Sequence, residues 1–427
     1  MSVFIKIKDQ QLGPYSYPEL RKLVSEGSFD RDDLVFSESS QDWVRAGQME
    51  ELRKLFPDRS DAPSQRVVYA IGGGKGGVGK TVLTASIGIG LATLGHRVVM
   101  VDADLGGANL HTCMGILEPQ YTFYHFYSLQ KESLSDILLD TPVENLKLIS
   151  GACGTLGLAN PRYSQKLRFI NELRKIDADF ILLDLGAGSS FNVIDFFLAA
   201  DQGLAVTTPE PMAIQETFNF LKIALMRKLT REFRDDPDTI LHLEQEIFAD
   251  SGRMAQSVGS ALEELAVRDS ATANRISSLL ASFTPGLILN MVHADEEVKE
   301  GVALRTAAEE LLSLKLDFLG YVEHDESVRR AVKELRPFVI DDPHSRAARS
   351  LAKLIAAGLL KKSGWAGFRE KHRVLREIRL QNREYPAQQI RESDTICSVQ
   401  CFYWGDCEYQ NGGHPCPVRH LDPIFKA

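Results

Sequence analysis

Gly72-Gly73-Gly74-Lys75-Gly76-Gly77-Val78-Gly79-Lys80-Thr81 is the stretch on which the reading of the fold turns. Gly74 to Thr81 fits G-x-x-x-x-G-K-[ST], and it stands between an apolar run at 67–71 that reads as a strand and a segment at 81–94 that reads as a helix. Phosphate chemistry needs that context. Gly74, Gly76, Gly77 and Gly79 let the backbone N–H groups of the loop, Val78 included, curl around phosphate oxygens, and the helix N-terminus adds its dipole. Lys80 would then reach the β- and γ-phosphates, and the Thr81 hydroxyl would ligate Mg2+. Lys75 is a second cation inside the loop, where an ordinary phosphate loop needs none.

Outward from the loop, short Val/Ile/Leu runs alternate with amphipathic helical patterns from 66 to about 360, the signature of a parallel sheet covered by helices. Strands are expected at 67–71, 97–101, 146–150, 180–184, 203–207, 286–290 and 317–321, each short, largely apolar and bounded by turn or charged residues. Within this stretch 222–283 turns wholly helical and charged, with Leu241, Ile247, Leu262, Leu265, Ile276 and Leu280 among its apolar positions, and reads as a helical insertion. A separate small segment precedes the body at 1–56, joined by a polar, proline-containing linker at 57–65. Residues 361–427 form a basic helix and a cysteine-rich tail.

Val101-Asp102-Ala103-Asp104-Leu105-Gly106-Gly107-Ala108-Asn109-Leu110 closes the second strand, so Asp102 and Asp104 emerge at the strand's carboxyl edge, where ligands of such sheets bind. With Lys75, the loop resembles the deviant Walker motif K-G-G-x-G-K-[ST] of the MinD/ParA family, and the resemblance covers most of 66–360 apart from the insertion. It implies an α/β P-loop NTPase fold, a mostly parallel sheet with helices on both faces. It also implies an ATPase that works as an ATP-dependent homodimer, in which Lys75 acts in trans on the partner's nucleotide. A second cation at the transferring phosphate would stabilise developing charge.

By the same resemblance, Asp104 in switch I positions the attacking water, Asp102 holds a Mg2+-bound water, and Asp184, ending Phe180-Ile181-Leu182-Leu183-Asp184, lies near the metal in the Walker B strand. Asn290 matches the family asparagine that contacts adenine. Thr207-Thr208-Pro209-Glu210-Pro211 is similar to the T-x-P-E-P turn of the flagellar-positioning FlhG branch, and 320–328 is similar to its G-x-V-P-x-D-x-x-V, with Asp325 in place and Glu323 where that pattern has proline. The implied function is a nucleotide-switched spatial regulator of a cellular partner. A DNA-partitioning ParA-type ATPase and an iron-sulfur carrier or reductase-like ATPase are the alternatives.

The flanks supply further expectations. Leu12-Gly13-Pro14-Tyr15 with Glu19-Leu20, Leu34-Val35 and Trp43 resembles a GYF-like module, whose relatives hold proline-rich peptides, and this implies a protein partner. Residues 361–391 carry nine Lys/Arg against three Glu, with Trp365, Phe368, Leu375 and Ile378 spaced toward one helical face. Such a helix could lie on an anionic membrane, touch DNA, or pack on the body with a solvated basic face. Cys397, Cys401, Cys407 and Cys416, with His414 and His420 close by, could hold Zn2+ or an iron-sulfur cluster, or be free buried cysteines; Cys113 and Cys153 are isolated and read as core. A net charge of -9 argues against a chain coated in nucleic acid. With no apolar run of signal or spanning length, the expected location is cytoplasmic, with peripheral membrane contact open.

Overall fold

The computed structural model describes residues 2–7, 10–25, 29, 33–37, 42–46, 49–53, 55, 66–152, 163–247 and 257–385. Cys153 and the four tail cysteines, Cys397, Cys401, Cys407 and Cys416, lie outside them, as do 57–65 and the end of the expected 361–391 helix.

The first segment is a four-stranded antiparallel sheet, β1 (Ser2–Ile7), β2 (Gln10–Ser16), β3 (Leu34–Ser37) and β4 (Asp42–Arg45), in the order β2-β1-β3-β4, with α1 (Tyr17–Ser25) and α2 (Glu50–Arg53). Val3, Ile5, Leu20, Phe29, Val35, Ala46, Leu52 and Leu55 make a core of its own. An ion pair links Asp33 at its surface to Arg369 of the body.

All seven strands expected in the body form, as β5 (Val67–Gly72), β6 (Val98–Asp102), β8 (Leu146–Ile149), β9 (Phe180–Asp184), β10 (Gln202–Thr207), β11 (Gly286–Val292) and β12 (Asp317–Glu323). A two-residue edge strand, β7 (Leu139–Asp140), pairs antiparallel with β8. The order is β12-β11-β10-β5-β9-β6-β8-β7, and every pair except β7 with β8 is parallel. The apolar runs are continuous because both faces are covered. Alternate residues serve opposite cores: Val99, Val101, Ile181 and Leu183 face one, and Val98, Met100, Leu182 and Leu148 face the other.

The helices are α3 (Lys80–Thr93), α4 (Leu110–Cys113), α5 (Phe123–Tyr127), α6 (Tyr163–Leu173), α7 (Phe191–Phe197), α8 (Pro211–Glu232), α9 (Pro237–Ile247), α10 (Val258–Arg268), α11 (Ser270–Ser282), α12 (Val298–Leu312), α13 (Glu326–Lys333), α14 (Phe338–Asp341), α15 (Arg346–Lys353) and α16 (Gly364–Glu384), with a π-helical turn at Leu354–Leu359 before the last. None among the described residues is long and apolar enough to cross a membrane.

Two expected boundaries move. The helical insertion does not begin at Lys222, which falls in the middle of α8. That helix starts at Pro211, with proline at its first position, and buries Phe220, Leu221, Ala224, Leu225 and Leu229 against the body without interruption. The body also does not end at Leu360. Val374, Leu375, Ile378 and Tyr385 of α16 and its cap enter the core that contains α3, so the basic helix packs on the body. Its buried side is centred on Val374 and Ile378, while Phe368 is 43% exposed and rests on His372.

Asp195 of α7 ties three helices together. It is 2% exposed and takes Lys166 of α6 at 2.6 Å and Arg227 and Arg231 of α8 at 3.0 and 2.6 Å. Burial works to raise its carboxyl, but the bonds from Arg227 and Lys166 hold it below the ordinary range. Asp195→Ala should leave three cations facing an emptied site. We expect a loss of about 3 kcal/mol, at the low end for a broken buried pair because both arginines reach water, measured as a shift of the urea midpoint.

Candidate functional site

The site begins with the sheet's connectivity. The chain leaves β5 for β6, returns to fill the gap between them with β9, and then crosses to β10 on the other side, so the carboxyl ends of the central strands open into a crevice. Register sets the height of its acids: Asp184 is paired with Ile71 of β5 and with Asp102 of β6.

The phosphate loop fills this crevice. Gly74 passes so close to α8 that a Cβ there would sit 2.1 Å from the Glu216 carbonyl oxygen. Gly79 has a φ of +87, and a Cβ would meet the Asn290 amide nitrogen at 2.4 Å. Neither position admits a side chain, which is the physical content of the glycines in the motif. Lys80, 7% exposed, donates from Nζ to the Lys75 carbonyl at 3.2 Å. Burial draws its ammonium below its ordinary value, while Asp184 and Asp104 pull the other way. Asn290 donates from Nδ2 to the Val78 carbonyl at 2.8 Å, so the expected adenine contact also braces the loop.

Asp102 and Asp184 are 0% and 1% exposed and lie on neighbouring strands. Burial holds both carboxyls above their ordinary range, and nearby carboxylates raise them further. Asp184 accepts from the Thr81 hydroxyl and from the Thr84 hydroxyl at 3.1 Å. Asp102 accepts the backbone N–H of Leu110 at 3.0 Å and of Asp104 at 3.3 Å, which folds 103–110 around it. Asp104 is half-buried, its Oδ1 accepting from the Gly107 N–H at 3.1 Å, and Gly186 packs beside its carboxylate.

A cavity of about 560 Å3 lies over this floor, within the range of small-molecule sites. Gly76, Gly77, Gly79, Lys80, Thr81 and Asp104 border it on the phosphate side, and Asn290, Met291, His324 and Asp325 on the other. Lys75 is half-buried and is not part of the lining. Asp325 caps α13, accepting from the Ser327 N–H at 3.0 Å and the Arg346 N–H at 2.9 Å, and Glu323 accepts from the Ser350 hydroxyl at 3.1 Å.

A hard divalent ion suits this floor. Two buried carboxylates side by side call for positive charge, and hydroxyl and carboxylate oxygens are Mg2+ donors. Among the described residues no group of three or more His, Cys, Asp or Glu could hold a metal by itself. Mg2+ fits that too, because it is usually held by one or two carboxylates together with substrate phosphates and water.

Residues 69–338 match the CobQ/CobB/MinD/ParA nucleotide binding domain. The chain belongs to that family. Residues 4–52 match GYF domain 2, the family of the N-terminal module. The antiactivator FleN of Pseudomonas aeruginosa is 28% identical over 284 residues, spanning 66% of this chain and 82% of FleN. The septum site-determining protein MinD of Synechocystis is 32% identical over 151 residues, covering 35% of this chain and 56% of that protein, little more than half its length. The solved structure of MinD from Pyrococcus horikoshii, complexed with Mg-ADP, is 22% identical, covering 68% of this chain and 95% of that one with a TM-score of 0.44. The chain is thus an ATPase of the MinD/ParA kind.

Two features of the site are not in the sequence reading. Thr84 is a second hydroxyl on Asp184; its signal is a threonine in a helix that buries eleven of its fourteen residues, eight of them apolar or glycine. His293 and His324 stack at 4.2 Å beside the Asn290 side of the cavity. Cys113, read as core, is half-buried against the apolar cluster of α3, and burial pushes its thiol up to about 12, with help from Asp184 and Asp102.

Proposed function

We propose that this ATPase is a dimeric switch: ATP closes two copies across their phosphate loops, the closed dimer acts on a protein partner, and hydrolysis releases it. The observation that carries the reading is the pair of lysines in one loop. Lys80 is buried and aimed inward, whereas the half-buried Lys75 side chain does not border its own chain's cavity. A cation so placed can reach the phosphates of a second copy.

Thr81 and Asp184 would hold Mg2+, with Asp102 on a metal-bound water. Bound there, the ion neutralises charge on the β- and γ-phosphates. Lys80 binds the same phosphates from the opposite side. Asp104, its carboxylate steadied by Gly107, accepts a hydrogen bond from the water that attacks the γ-phosphorus. Asn290 and the loop at 323–325 receive the base. The GYF module gives the chain a further surface for a protein partner.

Size-exclusion chromatography of the full chain with Mg-ATP or Mg-ADP tests this. We expect elution at dimer mass with ATP and at monomer mass with ADP. The same mass in both states would exclude the switch.

A further inference from the structure

A second cavity, of about 540 Å3, lies at the far edge of the sheet, and the nucleotide reading leaves it unused. Phe318, Leu319, Gly320 and Tyr321 border it in succession. The pairing of β12 with β11 skips Leu319, and Gly320 has a φ of +134, so a bulge breaks the regular alternation of side chains and brings these successive residues to one cavity. Among the described residues β12 is the last strand of the sheet and pairs with β11 alone, so the backbone groups on its other edge have no ladder partner, although Gly358 of the π-helical turn lies against the Leu319 carbonyl.

The opposite wall is cationic. Arg346, Arg349 and Lys353 recur at i, i+3 and i+7 on the exposed side of α15, whose other side buries Ala347, Ala348, Leu351 and Ala352; Lys371 of α16 joins them in the lining. Glu323, already bonded by Ser350, is the one carboxylate in the lining. Asp325 acts on Arg346, but Arg349, Lys353 and Lys371 have no ion-pair partner among the described residues. Arg346 and Arg349 lie near the start of α15, where positive charge opposes the helix dipole, so helix stability does not explain them.

Edge and charge together select the occupant. A second copy would bring the same cations to the same edge and be repelled, whereas a strand with carboxylates at alternate positions would pair with the backbone and neutralise the wall. We propose that β12 receives an extended acidic segment of a partner protein, which adds to the sheet as a further strand with its carboxylates on Arg349, Lys353 and Lys371. Glu323 borders both cavities, so this segment would lie back to back with the nucleotide.

Fluorescence anisotropy of the full chain with a labelled peptide of alternating glutamate and valine tests the proposal. We expect binding at about micromolar strength, weakened about tenfold or more in the Arg349→Glu, Lys353→Glu double variant. ATP turnover by that variant should be unchanged, which shows that it is folded. A peptide with proline at each valine position should bind as poorly as the double variant, because proline removes every second N–H and its fixed φ keeps the chain from settling into a β-ladder. Three results would overturn the proposal: no difference between wild type and the double variant, equal binding of the proline peptide, or displacement of the glutamate peptide by inorganic phosphate at equal charge. Binding to phosphatidylserine vesicles that is lost in the double variant, with no peptide binding, would assign the patch to a membrane and overturn it as well.

Discussion

Lys75→Ala is expected to lower ATP turnover by about a thousandfold or more and to abolish the ATP-dependent dimer, while ATP still binds the single chain. The separation follows from the geometry. What Lys75 gives its own chain is a backbone carbonyl, which accepts the Lys80 Nζ at 3.2 Å and survives the substitution. Lys80, Thr81 and the loop amides therefore stay in place, and a fluorescent ATP analogue should bind within a few-fold of wild type. The lost group is the cation supplied to a partner's transferring phosphate, a role worth about 10^3–10^5 in rate where an arginine performs it. If the variant dimerises and turns over ATP like wild type, Lys75 has no part in the reaction. If it also loses ATP binding, its role lies in its own loop.

Much of this could be read from the chain because most of the sheet is buried on both faces. A strand covered on both sides has to be apolar throughout, so 67–71 and 180–184 stand out in the sequence. β7 gives no such signal, because two residues at an edge carry no period. Pro211 marks the start of α8, whereas the charged residues after Lys222 change the composition without any break in the backbone. For α16 the sequence shows an apolar side without saying what covers it; the cover proves to be the core around α3. The phosphate loop and its acids are legible because their spacing is local and the strands end at one height. The bonds from Thr84 to Asp184 and from Ser350 to Glu323, and the stacking of His293 on His324, join residues far apart in the chain, and no local pattern encodes them.

Asp104→Ala should separate closing from hydrolysis. The side chain borders the cavity and is half-buried, and removing it leaves the phosphate loop, Asp184 and Asp102 untouched. Turnover is expected to fall about 10^2–10^4-fold, the usual worth of a group that orients or deprotonates the attacking water, and the dimer should persist with ATP bound. A variant that hydrolyses ATP at the wild-type rate would remove Asp104 from the mechanism. Mixing the two variants then decides whether Lys75 works in trans. In a mixed dimer the Asp104→Ala chain offers its intact Lys75 to the site of the Lys75→Ala chain, which keeps its own Asp104, so one of the two sites is complete. Lys75→Ala chains do not pair with one another, so every complete site in the mixture belongs to a mixed dimer held by one Lys75, and turnover should rise above the sum of the two variants, with about half of wild type as the ceiling. Were Lys75 to act on its own nucleotide, neither chain would hold a complete set and mixing would recover nothing.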